Sequence, residues 1–117
     1  MREPLRDKGR LLHILEAIDN LAVAIPEDYY TNHFIRYGVV KELEIIGEAA
    51  YMLSKSFKAQ HTEVRWEVII AMRHVLVHGY YQINDEQVWN IIQNDLPQLR
   101  EQVKEMLVVE SNNPSLG

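Results

Sequence analysis

Residues 34–57, FIRYGVVKELEIIGEAAYMLSKSF, carry a long helical pattern. Apolar side chains recur there at steps of three and four residues, which places them on one face of an α-helix. The members of this face are Phe34, Ile35, Val39, Leu43, Ile46, Ala50, Leu53 and Phe57. Gly38 and Gly47 lie inside the pattern, and each costs about 1 kcal/mol relative to alanine unless close packing needs the space. The stretch therefore predicts one long helix.

The chain on either side of this stretch also shows helical signals. Residues 5–25 repeat apolar side chains at the same steps until Pro26 ends the segment. Thr31 is then a candidate N-cap for the long helix. Thr62 is a candidate cap for a third helix, and Gly79 is well placed to end it. These signals predict three helices before residue 80.

Two further helical signals follow near the C-terminus. The sequence from Asn84 to Gln87 resembles a capping box, with an asparagine cap and a glutamine three residues later. Another helix restarts at residues 95–97, where Pro97 is tolerated in the first turn. No strand alternation or repeat is present. We predict one all-α domain over residues 1–109, an up-and-down bundle of four to five helices whose last two are short or joined by a bend, and a flexible tail over residues 110–117.

Composition narrows the class of protein. The 117 residues are 47% hydrophobic and 25% charged, as in an ordinary soluble domain. No apolar run approaches the roughly 20 residues that span a bilayer, and the charged N-terminus lacks the apolar stretch of a secretory signal. Because the chain has no cysteine, disulfides, thiol nucleophiles and thiolate metal sites are excluded. We therefore expect a cytoplasmic protein with no membrane partner.

Charge is unevenly distributed along the chain. The net charge of −5 argues against a protein that only coats nucleic acid. Residues 54–81 form the net-positive section, with four basic residues against two acidic ones. This section holds the decapeptide MRHVLVHGYY at residues 72–81, where two histidines, an arginine and two tyrosines surround an aliphatic run. So many titratable groups indicate a satisfied polar patch, a metal site or an active site.

The spacing within the decapeptide bears on each of these interpretations. His74 and His78 are four residues apart, the spacing of two imidazoles on one metal ion. No third ligand is near in sequence, and the glutamate of the metalloprotease pattern H-E-x-x-H is missing, so we expect no metal. Arg73 and His78 are five residues apart and would point about 140° away from each other on a continuous helix. They would meet only if the helix ended at His78 or if a symmetric partner supplied a second copy.

A structural role for the decapeptide stays open at this point. In that interpretation Arg73 pairs with Glu44, Glu48 or Glu67. His78 caps the carbonyls at the helix end, and the tyrosines pack. Spacing alone does not separate this role from an active site.

A resemblance to a known family favours the active site. Arg73-x-x-x-x-His78-x-Tyr80 matches the R-x-x-x-x-H-x-Y motif of HepT-type HEPN toxins, the ribonuclease half of a toxin–antitoxin pair. Other features of the family are present in the same order: Ile46-Gly47-Glu48-Ala49, Trp66, Ile83-Asn84-Asp85, Val88-Trp89 and Asp95-Leu96-Pro97-Gln98-Leu99. The resemblance extends from about residue 5 to residue 107. His74 is one departure, because close relatives usually carry asparagine there.

The resemblance implies a HEPN-type bundle that forms a symmetric homodimer, and a ribonuclease that uses neither a metal nor another cofactor. The RNA 2′-hydroxyl would attack the adjacent phosphorus and leave a 2′,3′-cyclic phosphate. His78 would act as general acid/base, since an imidazole titrates near neutral pH. Arg73 would clamp the phosphate with its permanently charged guanidinium. His74 would orient the phosphate or stand in for the usual asparagine, and Glu48 would support Arg73.

The resemblance also implies a protein partner and a switch. In a type VII-like pair, an MNT-type (MntA-like) nucleotidyltransferase antitoxin would attach AMP to Tyr80, adding bulk and negative charge where RNA phosphate must bind. The RNA substrate would be transfer RNA rather than messenger RNA. Two alternatives remain: a non-catalytic helical subunit that binds nucleotide or substrate for a nucleotidyltransferase, and a purely structural dimer. Retention of Arg73, His78 and Tyr80 favours the enzyme.

Overall fold

The fold is built from helices. The computed structural model describes residues 6–74 and 84–112. The α-helices in these ranges are α1 (Asp7–Ala22), α2 (Pro26–Thr31), α3 (His33–Met52), α4 (Lys55–Gln60), α5 (Trp66–Ile70), α6 (Asp85–Asn90) and α7 (Leu96–Asn112). A 3₁₀ turn (Ala71–His74) follows α5, and a π-helix (Ile91–Asp95) joins α6 to α7. No strand occurs in these ranges, and the predicted all-α bundle is confirmed.

Helix α3 lies at the centre of the bundle. It packs against α1, α2, α5 and the 3₁₀ turn, while α1 also packs against α7. The predicted apolar face of α3 is buried at Val39, Leu43, Ile46 and Ala50. Phe34 is an exception, because it lies in the first turn of α3, beyond the core, and is 83% exposed. The apolar period therefore identifies the buried face of α3 but not where burial begins.

The predicted long helix is in fact two helices. Helix α3 ends at Met52, and the next two residues are extended, with ψ angles of 145° at Leu53 and 151° at Ser54. The Ser54 hydroxyl accepts a hydrogen bond from the backbone N–H of Phe57 at 3.2 Å and so caps α4. Asp7 accepts hydrogen bonds from the N–H and the hydroxyl of Ser54, at 2.8 and 2.7 Å. These bonds offer the backbone an alternative to helix, which is why the chain turns here although the apolar pattern continues.

The N-cap of α3 also differs from the prediction. The side-chain oxygen of Asn32 accepts hydrogen bonds from the N–H groups of Phe34 and Ile35, at 2.9 and 3.2 Å. Thr31 instead donates its hydroxyl to the carbonyl of Glu27, inside α2. The prediction of Thr31 as the cap is therefore one residue too early, because threonine finds an acceptor in its own helix.

The two later caps have different outcomes. Thr62 lies in a turn before α5, so the prediction that it caps the third helix is wrong. The residue that precedes α5 is Arg65, which makes no side-chain cap. The helix end predicted at Gly79 lies outside the described residues. Asn84 is confirmed as a cap, since its side-chain oxygen accepts the N–H of Gln87 at 3.1 Å.

The last two predicted helices are joined by the π-helix. Helix α7 begins at Leu96, so Pro97 lies in its first turn, as predicted. Helix α7 continues to Asn112, past residue 109 where the domain is predicted to end, and residues 113–117 lie outside the described residues.

Within the two described ranges, every helix is too short or too polar to cross a lipid bilayer.

A buried tyrosine fixes the start of α6. The Tyr29 hydroxyl donates a 2.6 Å hydrogen bond to Asp85 Oδ1, and Arg36 Nη2 donates to the same oxygen at 3.0 Å. The Tyr29 side chain is fully buried, and its ring meets the edge of Trp89 with the centroids 5.4 Å apart. Burial, and then the hydrogen bond to Asp85, raise the pKa of the Tyr29 hydroxyl. These contacts tie α2, α3 and α6 together.

The raised pKa of Tyr29 predicts a loss of stability at alkaline pH. Above pH 10.0, the ordinary pKa of tyrosine, the unfolded chain releases this proton while the folded chain keeps it. The unfolded state then binds fewer protons, so the free energy of unfolding falls as pH rises, by up to about 1.4 kcal/mol per pH unit. Tyr29→Phe removes this proton from both the folded and the unfolded state. The free energy of unfolding of this variant should therefore fall less steeply with pH. Urea unfolding of both proteins at about pH 9, 10 and 11 measures it; equal slopes would contradict the prediction.

Candidate active site

The 3₁₀ turn and α3 approach each other unusually closely at Gly47. A Cβ atom on Gly47 would lie 2.5 Å from the backbone nitrogen of Arg73 and 3.1 Å from its Cα. Real Cβ contacts below 3.0 Å essentially never occur, so glycine is required here. Gly38, in the same helix, would meet nothing within 4 Å. The close packing that could justify a helical glycine is therefore present at Gly47, and it fixes the backbone of Arg73 against α3.

The Arg73 side chain also rests on α3. Its Nη1 donates a hydrogen bond to Glu48 Oε1 at 3.2 Å, and its guanidinium carbon lies 3.5 Å from the centroid of the Tyr51 ring. Of the three glutamates considered as partners, Glu48 makes this contact, while Glu44 pairs with Lys41. Within about one turn of α3, Gly47 thus contacts the backbone of Arg73, Glu48 one edge of its guanidinium and Tyr51 one face.

Within the part of the chain that the structure describes, this arrangement leaves part of the guanidinium without a hydrogen bond. Arginine carries five N–H donors in a planar fork that matches the oxygens of phosphate or carboxylate. Among the described residues, Arg73 makes no hydrogen bond other than the one to Glu48, and its side chain is 24% exposed. An exposed ion pair and a cation–π contact contribute about 0.5–1 kcal/mol each to stability. The contacts are therefore better suited to orienting Arg73 than to holding the fold together.

Lys58 adds a second cation beside the Tyr51 ring. Its Nζ donates hydrogen bonds to the carbonyls of Ala50 and Tyr51, at 3.0 and 3.2 Å, and so closes the C-terminal end of α3. Burial, and the charges of Lys55 and Arg73, lower the pKa of the Lys58 ammonium. The Lys58 ammonium is therefore held by backbone carbonyls at the end of α3.

The remaining predicted site residues lie at or beyond the edge of what is described. His74 ends the 3₁₀ turn, and nothing is described of its side chain. His78 and Tyr80 lie outside the described residues. Of the described residues on either side, Arg73 lies beside Gly47 and Asp85 contacts Arg36, both on α3. Gly47 and Arg36 are eleven residues apart, about 16 Å along the helix axis.

Tyr51, whose ring contacts Arg73, was not singled out from the sequence. It is half-exposed, and an exposed tyrosine on a helix usually indicates only surface. The signal lies in its spacing, three residues after Glu48 and four after Gly47, which places all three on one face of α3. The ranges 6–74 and 84–112 contain no cluster of three or more His, Cys, Asp or Glu side chains that could hold a metal ion.

The family profile and the similar proteins that match this chain all point to ribonucleases. The profile of the family described as "Ribonuclease HepT-like" matches residues 11–106. "Putative RNase TTE0752" of Caldanaerobacter subterraneus subsp. tengcongensis is 36% identical over 104 residues, covering 86% of this chain and 93% of the relative. "Putative RNase MJ1380" of Methanocaldococcus jannaschii is 32% identical over 101 residues, covering 83% and 93%.

A third relative carries the family name itself. "Probable ribonuclease HepT" of Thermococcus cleftensis is 32% identical over 74 residues, covering 63% of this chain and 67% of the relative. No solved structure matches the chain significantly. The family profile spans the helices that place Arg73, Glu48 and Tyr51 together. The chain belongs to the HepT-like ribonuclease family.

Proposed function

We propose that the protein is an endoribonuclease toxin in which Arg73 binds the phosphate at the cleaved bond. The observation that carries this proposal is the way α3 holds Arg73, by its backbone at Gly47, by one edge at Glu48 and by one face at Tyr51. An arginine fixed in this way stabilises charge that develops on a phosphate without having to reorganise. The relatives named as ribonucleases support RNA as the substrate.

The proposed reaction needs no metal. The 2′-oxygen of RNA attacks the adjacent phosphorus, the O2′–P bond forms, and the P–O5′ bond breaks. His78 moves the proton, since imidazole is the side chain that titrates near neutral pH. Arg73 binds the non-bridging oxygens, with Glu48 orienting it and His74 contacting the phosphate. The products are a 2′,3′-cyclic phosphate and a 5′-hydroxyl.

A homodimer supplies the second half of the site in this proposal. The 140° separation between Arg73 and His78 holds for a continuous α-helix, whereas α5 ends at Ile70 and Arg73 lies in a 3₁₀ turn. The direction of His78 is therefore not fixed by that angle. Two copies facing each other across a cleft would give two arginines and two histidines to one RNA strand, which a single His–Arg pair does not provide.

The proposed regulation acts on Tyr80. A nucleotidyltransferase antitoxin of the MntA type transfers AMP from ATP to its hydroxyl, in a type VII-like pair in the cytoplasm. The phenolic oxygen bonds to the α-phosphorus, pyrophosphate leaves, and the phenolic proton is released. The added phosphate is negatively charged and bulky, so it would occupy the surface that Arg73 offers to RNA. Transfer RNA is the proposed substrate class.

The proposal is tested by RNA cleavage and intact mass together. Wild-type protein should cleave transfer RNA in the presence of EDTA, and His78→Ala should lower the rate by about 100-fold or more. After co-expression with its nucleotidyltransferase, the wild-type mass should rise by AMP. Tyr80→Phe should abolish that rise, and Tyr81→Phe, at the neighbouring residue, should not.

Other outcomes would change the conclusion. Equal cleavage by His78→Ala and wild type would point to a contaminating nuclease. No cleavage by unmodified wild type, with nucleotide bound by the purified protein, would favour the non-catalytic subunit of a nucleotidyltransferase.

A further inference from the structure

We infer that Tyr51 is a positioning residue, whose ring holds the Arg73 guanidinium in the plane in which it meets the RNA phosphate. This inference rests on the proposed function and extends it to a side chain outside the R-x-x-x-x-H-x-Y motif. The guanidinium carbon lies 3.5 Å from the ring centroid, which is van der Waals contact over the face of the ring.

Glu48 alone does not fix the direction of Arg73. The two side chains share one hydrogen bond, from Nη1 to Oε1 at 3.2 Å, and the Glu48 side chain is 57% exposed. A guanidinium held at one nitrogen can still rotate about that bond and swing its other N–H groups away from a phosphate. The Tyr51 ring lies against the face of the guanidinium, so it blocks that rotation.

The ring positions Arg73 without neutralising it. A second carboxylate beside the guanidinium would also restrain it, but it would compete with phosphate for the same N–H donors and the same charge. The face of a tyrosine attracts a cation through its quadrupole and accepts none of the in-plane hydrogen bonds. Arg73 therefore keeps the N–H groups at its free edge for the substrate.

Tyr51 is itself held in place. Its backbone carbonyl lies in the last turn of α3 and accepts a hydrogen bond from Lys58 Nζ at 3.2 Å. Lys58 also bonds to the carbonyl of Ala50, so α4 braces the end of α3. No hydrogen bond of the Tyr51 hydroxyl is found among residues 6–74 and 84–112. Tyr51→Phe therefore removes the hydroxyl, breaks no described hydrogen bond and retains the aromatic ring.

The test compares three variants of the full chain, Tyr51→Leu, Tyr51→Phe and Met52→Ala. Met52 is also about half-exposed, in the same turn of α3, and serves as the control. Tyr51→Leu should lower kcat about tenfold with KM changed less than about threefold, because a misplaced clamp loses its effect in the transition state. Tyr51→Phe and Met52→Ala should stay within about twofold of wild type. NMR relaxation of the Arg73 Nε–H group should show a mobile side chain in Tyr51→Leu alone.

The outcomes separate this inference from the proposed function. If wild type cleaves RNA and Arg73→Ala does not, but Tyr51→Leu matches wild type in kcat or in Arg73 mobility, the positioning role is wrong. A loss in Tyr51→Phe equal to that in Tyr51→Leu would assign the effect to the hydroxyl and also overturn it. If wild type does not cleave RNA, the proposed function fails and the positioning role with it, whatever the NMR shows.

Discussion

Gly47→Ala should lower the free energy of unfolding by about 2 kcal/mol or more. The new Cβ would lie 2.5 Å from the Arg73 nitrogen and 3.0 Å from its Cβ, and overpacking against a buried contact typically costs about 1–3 kcal/mol. The neighbouring atom is backbone, so no side-chain rotation relieves the clash. The 3₁₀ turn must move away from α3, and Arg73 moves with it. RNA cleavage should therefore fall even in the molecules that remain folded.

Gly38→Ala is the matched control for that experiment. Gly38 lies in the same helix, nine residues earlier, and an added Cβ meets nothing within 4 Å. Alanine is a better helix former than glycine, so this variant should gain about 1 kcal/mol. Urea unfolding should thus separate the two variants by about 3 kcal/mol. Equal effects on stability would mean that α3 and the 3₁₀ turn do not approach as closely as described.

Arg73→Ala should lower kcat/KM for RNA by about 100- to 1,000-fold while leaving the protein folded. The large loss follows from removing a preorganised charge at the phosphate, where one such donor contributes about 3–4 kcal/mol to the transition state. The small change in stability follows from the exposure of the Glu48 partner, because exposed ion pairs contribute about 0–1 kcal/mol. Cleavage rates and thermal unfolding of the same preparation measure both effects.

Arg73→Lys and Arg65→Ala complete this comparison. Lysine keeps the charge but neither the planar fork nor the stacking on Tyr51, so Arg73→Lys should remain at least about tenfold below wild type. Arg65→Ala removes a charge of the same sign eight residues earlier, where the side chain is exposed, and should change cleavage by no more than about twofold. Similar losses in Arg65→Ala and Arg73→Ala would indicate a general effect of net charge on RNA binding and not a phosphate clamp.

Apolar periodicity predicted the buried face of α3 but not its C-terminal end. The pattern continues through Phe57 because Phe57 also reaches the core, from α4, after the chain has turned at Ser54. A period of three and four residues records which side chains face the core, and it does not record whether the backbone between them is continuous. The polar side chain of Ser54, bonded to Asp7, decides the break, and that partner lies 47 residues away in the sequence.

The residues of the candidate site could be proposed from the sequence, but most of the contacts between them could not. Spacing left three glutamates as partners for Arg73 and Glu48 was named as its support; the packing of the 3₁₀ turn on α3 brings Arg73 to Glu48. The contact of Tyr51 with Arg73 was missed because it depends on a cation brought from 22 residues further along the chain. His78 and Tyr80 lie outside the described residues, so their roles stay predictions from the motif.

The π-helix at Ile91–Asp95 sets the orientation of the buried face of α7 relative to that of α6. Steps of three or four link Val88 to Ile91, and Leu96 to Leu99, Val103 and Met106, whereas the step from Ile91 to Leu96 is five, which matches the i→i+5 hydrogen bond of a π-helix. Without that additional residue, the apolar stripe of α7 would be turned by about 100° relative to that of α6. Trp89 could then not remain against Tyr29 while Leu99 faced the core. A change of one residue in length within this short segment would therefore be more damaging than most substitutions there.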